Sequence, residues 1–211
     1  LPTIQAFVDL YNFNNCVEFG MGFLSTFYLY KKMICLVSVE SSKKWSDTIT
    51  SQLKNGDNFF PIFCMTFGIK KGTPIHQIKP EYLIEYENEF CAYILSTFNS
   101  FNDVLFVDHQ ASLRHIVLRK CYDRFKCIIC HDSDQKYEKI YHYREAVKSM
   151  KLNDFYWMTL KYSTDDYGTD LFIRKDIVKD IKLLQKQIVD NTEKRAKLHN
   201  IIGEFFISHN H

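Results

Sequence analysis

The stretch from residue 16 to residue 30, CVEFGMGFLSTFYLY, holds two of the seven glycines in a chain of 211 residues, spaced Gly20-Met21-Gly22, with Glu18 just ahead of them. A glycine pair between a short apolar strand and a helical pattern lets the backbone pass close to something, typically a nucleotide-like cofactor. The dinucleotide fingerprint is G-x-G-x-x-G at such a turn, with an acid about twenty residues on. Here Ser25 stands in place of the third glycine, and the acid is Glu40, which closes ICLVSVE. A carboxylate at that strand end can accept hydrogen bonds from both hydroxyls of a ribose. By themselves these features fit NAD or S-adenosylmethionine (SAM).

Working outward, apolar strand-like runs alternate with helical patterns, the signature of a parallel sheet covered on both faces. Strands are expected at 16–20, 34–40, 60–67, 103–109, 126–132, 156–162 and 171–175, and helices at 24–32, 43–53, 84–98, 110–122 and 137–150. Only the last connection, STDDYGTD from Ser163 to Asp170, is short and turn-rich, so strands six and seven are expected to run antiparallel. The segment GIKKGTPIHQIKPEY, Gly68 to Tyr82, reads as a loop beyond a strand end, either lining the ligand crevice or a solvated connection. From Asp176 to Ile202, apolar residues at spacings of three and four predict a C-terminal amphipathic helix, packed on the domain of residues 1–175 or on a second subunit as a homodimer.

At 46% hydrophobic and 16% aromatic residues the chain reads as one packed domain, without an apolar run of about 18 residues to span a bilayer. A net charge of +2 is far from the basic balance of a protein whose affinity comes from phosphate contacts. Most of the seven cysteines sit in apolar runs, which favours a reducing, cytoplasmic setting. Cys127-Ile-Ile-Cys130 has C-x-x-C spacing but reads as a strand interior rather than a redox or zinc motif. No cleavable leader is expected from the residues that follow Leu1, at which the native chain need not begin.

E-x-G-x-G after strand one, an acid ending strand two and a final antiparallel pair together resemble the class I SAM-dependent methyltransferases. VEFGMGFLST and LVSVESSKKW resemble the first two cofactor motifs of the subgroup of macrocin-type and glucuronoxylan-type sugar O-methyltransferases; DVLFVDH, Arg114 and CIICHDSDQKYEKIY resemble its later blocks. The resemblance spans residues 15–175 and implies a Rossmann-like, seven-stranded α/β fold. Its cofactor set is Glu18, Gly20, Gly22, Glu40, Ser41 and Asp108, with Glu18 either contacting the cofactor through water or holding the loop. FVDH also resembles a strand ending of catechol-type O-methyltransferases, whose aspartate binds magnesium. The asparagine that follows in those enzymes is replaced here, leaving Asp108, Asp132 and Ser133 or Asp134 as oxygen ligands for Mg2+ or another divalent cation. The third strand lacks an acid for the adenine amino group, which leaves Thr66 or a backbone carbonyl to serve.

Methyl transfer is an in-line displacement, so the protein aligns the acceptor and helps remove its proton. Asp108, His109, His131 and Asp132 close adjacent strands and form the candidate catalytic set, with His109 or His131 as general base or a metal acidifying the hydroxyl. The resemblance implies an O-methyltransferase acting on a sugar or other small molecule. A non-catalytic partner subunit with the same fold and a nucleic-acid methyltransferase are the competing readings.

Overall fold

The computed structural model describes residues 2–53, 56–64, 69, 73–133, 138–160, 168–178, 180–191 and 193–194. The chain divides into two compact units, one of Asn14–Ile177 and a smaller one formed by Leu1–Phe13 with Val178–His211. The smaller unit contains α1 (Pro2–Tyr11), which the sequence reading did not anticipate, and a described helix over 181–191. Residues 195–202 of the expected C-terminal helix lie outside the described residues, as do Thr66, Gly68, Asp134 and residues 163–167.

The larger unit is built on β1 (Asn15–Phe19), β2 (Cys35–Glu40), β3 (Phe59–Phe63), β4 (Val104–Val107), β5 (Cys127–His131), β6 (Phe155–Leu160) and β7 (Thr169–Arg174). They form one sheet in the order β3-β2-β1-β4-β5-β7-β6. β1 to β5 are parallel, and β7 inserts antiparallel between β5 and β6. The seven expected strands are therefore present, mostly parallel with the last one reversed. Central strands of such a sheet are covered on both faces, which is why β4 (VLFV) and the CIIC of β5 read as unbroken apolar runs instead of alternating ones. Cys127 and Cys130 are buried strand residues, and none of the seven cysteines forms a disulfide.

Between the strands lie α2 (Ser25–Lys32), α3 (Lys43–Gln52), α4 (Pro80–Glu85), α5 (Ala92–Thr97), α6 (Arg114–Cys121), α7 (Glu138–Tyr141) and α8 (Tyr143–Lys148). Two expected helices come out interrupted. A π-helical stretch, Tyr86–Cys91, joins α4 to α5, and His142 at φ 52° breaks α7 from α8. No helix among the described residues is long and apolar enough to cross a membrane.

Polar contacts pin the strand ends. At the start of the sheet, Asp103 Oδ2 accepts the N–H groups of Asn14 (2.8 Å) and Asn15 (3.2 Å), and Lys126 Nζ reaches its Oδ1 at 2.6 Å. At the other end, Gly20 N–H bonds to Val39 O (2.8 Å) and Asp108 N–H to Phe19 O (2.7 Å). Gly20 has φ +101°, and a Cβ there would stand 2.3 Å from the Asp108 carbonyl oxygen. A side chain at this position meets both a disfavoured backbone region and immovable backbone. At Gly22 the nearest obstacle is the Ser25 hydroxyl, which can rotate away.

Thermal unfolding separates the two glycines. Gly20→Ala is expected to cost about 3 kcal/mol, a Tm lower by roughly 6–12 °C, and Gly22→Ala under about 1 kcal/mol. Equal losses in both variants would contradict this account of the turn.

Candidate functional site

Glu18 and Glu40 hold the glycine turn from two sides. Glu18, in the middle of β1, is fully buried. Its Oε2 accepts from the hydroxyls of Thr26 (2.8 Å) and Ser38 (2.7 Å), and Thr26 Oγ1 in turn accepts the Gly22 N–H at 2.8 Å. Glu18 thus reaches the loop through Thr26. Its Oε1 is buried without a hydrogen-bond partner. Burial pushes the Glu18 carboxyl up to about 7 against the pull of the Ser38, Ser25 and Thr26 hydroxyls, and the nearby Asp108 adds to the rise.

Glu40 closes β2 from the other side. Its Oε2 accepts the Met21 N–H at 3.1 Å, while Oε1 accepts the N–H groups of Ser41 and Ser42, each at 2.7 Å. Ser41 Oγ adds a 3.3 Å contact to Oε1, so Ser41 shapes the cradle of Glu40. Trp45 Nε1 donates to Met21 O at 2.7 Å, and its ring meets Phe23 edge-on at 4.9 Å. The Met21 peptide is therefore clamped at both its N–H and its C=O. Oε2 of Glu40, which accepts from Met21, retains a lone-pair site.

Beside this turn, beyond β4 and β5, lies a charged cluster. Asp108, His131 and Asp132 bring one ligand-type atom each within 4.8 Å of one another. His131 Nδ1 stands 2.9 Å from Asp132 Oδ1 and 3.3 Å from Asp108 Oδ1, lying between the carboxylates without aligning a hydrogen bond on either. Two successive residues face one site here because Asp132 takes a left-handed backbone, φ 56°, which aspartate tolerates better than most residues.

Arg114, at the start of α6, runs back into the cluster. Nε donates to His109 O (2.8 Å), Nη1 to His131 O (2.9 Å) and Nη2 to Asp108 Oδ1 (2.9 Å), with Asp132 Oδ2 at 3.4 Å from Nη1. The Tyr141 ring covers the guanidinium at 4.3 Å, and Tyr143 OH bonds to Val107 O and His131 O. Burial opposes ionisation of Asp132, but His131 and Arg114 outweigh it and hold the carboxyl below its usual range. Burial likewise works against the His131 charge, and Asp108 with Asp132 overcomes it, raising the imidazole to about 9.

His109 and Ser133 do not join this cluster. The His109 ring is buried between Phe19 and Tyr86, with Nε2 3.1 Å from Tyr86 OH. Burial, then the charge of Arg114, keeps it well below the usual histidine pKa. Ser133 is buried with its N–H on Gly168 O, and its hydroxyl lies toward Asp170, whose ionisation it favours against burial. Sequence reasoning assigned no role to Thr26, Ser38, Trp45, Tyr141 or Tyr143, and cited Arg114 only as part of a motif. The one signal available was a polar residue inside an apolar run, Ser38 in CLVSVE. A cavity of about 240 Å³ lined by Tyr122, Asp123, Lys151, Asp154, Phe155 and Arg174 lies at the opposite end of β5, away from these groups.

No protein-family model matches the sequence, and no curated protein does. Solved structures do match. An O-methyltransferase from Bacillus cereus in complex with S-adenosylhomocysteine (SAH) aligns over 82% of this chain and 80% of its own, at 16% identity and TM-score 0.56. Human methyltransferase-like protein 13 in complex with SAH aligns over 92% and 88%, at 10% identity and TM-score 0.57. An rRNA methylase from Streptococcus thermophilus aligns over 81% and 92%, at 10% identity and TM-score 0.50. At such identities the likeness is one of fold: the chain has the Rossmann-like architecture that SAM-dependent methyltransferases share.

Proposed function

We propose that the chain is a SAM-dependent O-methyltransferase acting on a hydroxyl of a sugar or other small molecule. The observation that carries this reading is the glycine turn, held between Glu18 and Glu40 at the exits of β1 and β2 and adjoining the carboxylates beyond β4 and β5. The donor set fits SAM. The buried, unpartnered Oε1 of Glu18 is an acceptor suited to the ammonium of the amino-acid end, and the remaining lone pair of Glu40 Oε2 suits a ribose hydroxyl.

When bound, SAM supplies a sulfonium whose methyl group is displaced in line. The chain's own residues then bind and orient. Gly20 and Gly22 keep the turn free of side chains, and Ser41 holds the Glu40 carboxylate in place. Asp108, the more exposed of the two aspartates, orients the acceptor hydroxyl at the junction of the cofactor and acceptor halves. With His131 keeping its proton to about pH 9 and the His109 ring buried between Phe19 and Tyr86, outside the cluster, proton acceptance at neutral pH falls to the carboxylates. The sugar-methylating subgroup is favoured by the motifs at strands four and five, and a reducing, cytoplasmic setting by seven cysteines that form no disulfide. Association through the C-terminal helix is part of the same proposal.

Glu18 yields a test with opposite signs for stability and binding. A carboxyl whose folded pKa is raised to about 7 contributes its full penalty above pH 7 and none below its ordinary value near 4.5. Glu18→Gln is therefore expected to stabilise the fold at pH 8 by on the order of 2 kcal/mol, with no gain at pH 4. In calorimetric titration the same variant should bind SAH at least tenfold more weakly than the parent. Unchanged SAH affinity in Glu18→Gln would remove Glu18 from the cofactor set.

The acceptor is tested by methyl-labelled SAM with a panel of saccharides, phenols and short RNAs. Label should appear on a saccharide or phenol oxygen, with turnover falling at least a hundredfold in Asp108→Ala. Transfer only to RNA, or only to nitrogen, would overturn the acceptor assignment.

A further inference from the structure

We propose that Arg114 is the resident cation of this site: its guanidinium takes the place between Asp108 and Asp132 that a divalent metal ion fills in the catechol-type arrangement. Arg114 holds this place whatever the acceptor of the proposed reaction.

The geometry shows why the donor set does not fit a metal. Mg2+ and related hard ions require several oxygen ligands converging at about 2.0–2.6 Å. The oxygens that would converge here already serve a cation: Asp108 Oδ1 bonds to Nη2 at 2.9 Å, and Asp132 Oδ2 lies 3.4 Å from Nη1. His131 Nδ1 occupies the remaining space between them, 2.9 Å from Asp132 Oδ1. Of the two candidates for a third oxygen, Ser133 is buried on the Asp170 side, and Asp134 lies outside the described residues.

Arg114 is also built in, not a mobile surface charge. Only 7% of its side chain is exposed, and its donors are further committed to the carbonyls of His109 and His131. Tyr141 stacks over the guanidinium face. A planar fork can bridge two carboxylates and two strand-end carbonyls at once, which neither lysine nor a hydrated ion reproduces. Arg114 thereby acts as a positioning residue, fixing the exits of β4 and β5 relative to each other while neutralising the acidic pair.

Manganese titration followed by electron paramagnetic resonance tests this without SAM, acceptor or turnover, so its result is separate from that of the proposed reaction. In the parent chain, millimolar Mn2+ should remain free. Arg114→Gln removes the guanidinium from both carboxylates, leaving only the displaceable His131 imidazole between them, and should create a Mn2+ site at least tenfold tighter than any in the parent, abolished again by adding Asp132→Asn. A merely structural arginine would not produce that gain. Mn2+ bound by the parent and lost in Asp132→Asn overturns the proposal, as does a folded Arg114→Gln chain that binds no Mn2+. Should Arg114→Gln fail to fold by circular dichroism, the parent and its Asp132→Asn variant decide by the same criterion: uptake abolished by Asp132→Asn overturns the proposal, and absence of uptake supports it.

Discussion

At Gly20 the exits of three parallel strands converge. Its N–H is bonded to Val39 at the end of β2, and its Cα lies against the Asp108–His109 peptide beyond β4, leaving no room for a side chain. That close approach sets the distance between the two halves of the site. On one side it fixes Glu18 and Glu40 around the turn; on the other it places Asp108 beside the turn. A bulkier residue would separate β1 from β4, and every carboxylate of the site would shift with them.

The second constraint is charge. Glu18 and Glu40 are buried, and Asp132 and Asp108 are partly so, and burying a carboxylate costs several kcal/mol where it is uncompensated. Each is accommodated differently. Glu40 is solvated by backbone N–H groups, Asp108 and Asp132 share Arg114 and His131, and Glu18, fully buried beside two hydroxyls, rises to about 7. Among the described residues, the cationic partners stand at Asp108 and Asp132, while Glu18 keeps a buried carboxylate oxygen without a hydrogen-bond partner.

Much of the fold was legible because burial on both faces of the sheet leaves mostly apolar runs: β4 and the CIIC of β5 are unbroken, and β1 and β2 are interrupted only by Asn15, Glu18, Ser38 and Glu40. Helix α1 was legible in principle, with Pro2 at its first turn and Ile4, Phe7 and Val8 at helical spacing, but the sequence reading did not extend to it. The break at His142 was not legible, since a non-glycine left-handed residue is selected by its tertiary setting. In the site, adjacency in sequence misled at VDH: neighbouring residues at a strand end point to opposite faces, so Asp108 reaches the cluster and His109 turns into the core. At His131-Asp132 the positive φ overrides that alternation, which residue types alone do not reveal. The role of Arg114 depends on α6 folding back over the strand exits, a long-range fact without a local signature.

The central claim is that the turn from Gly20 to Gly22, between Glu18 and Glu40, is a SAM site. A crystal structure of the chain grown with SAH addresses it directly. The account predicts SAH at the exits of β1 and β2, with its ribose hydroxyls on Glu40, its amino-acid end against the glycine turn near Glu18, and its sulfur toward Asp108. SAH bound elsewhere on the chain, or a nicotinamide dinucleotide occupying that turn in its place, would contradict it.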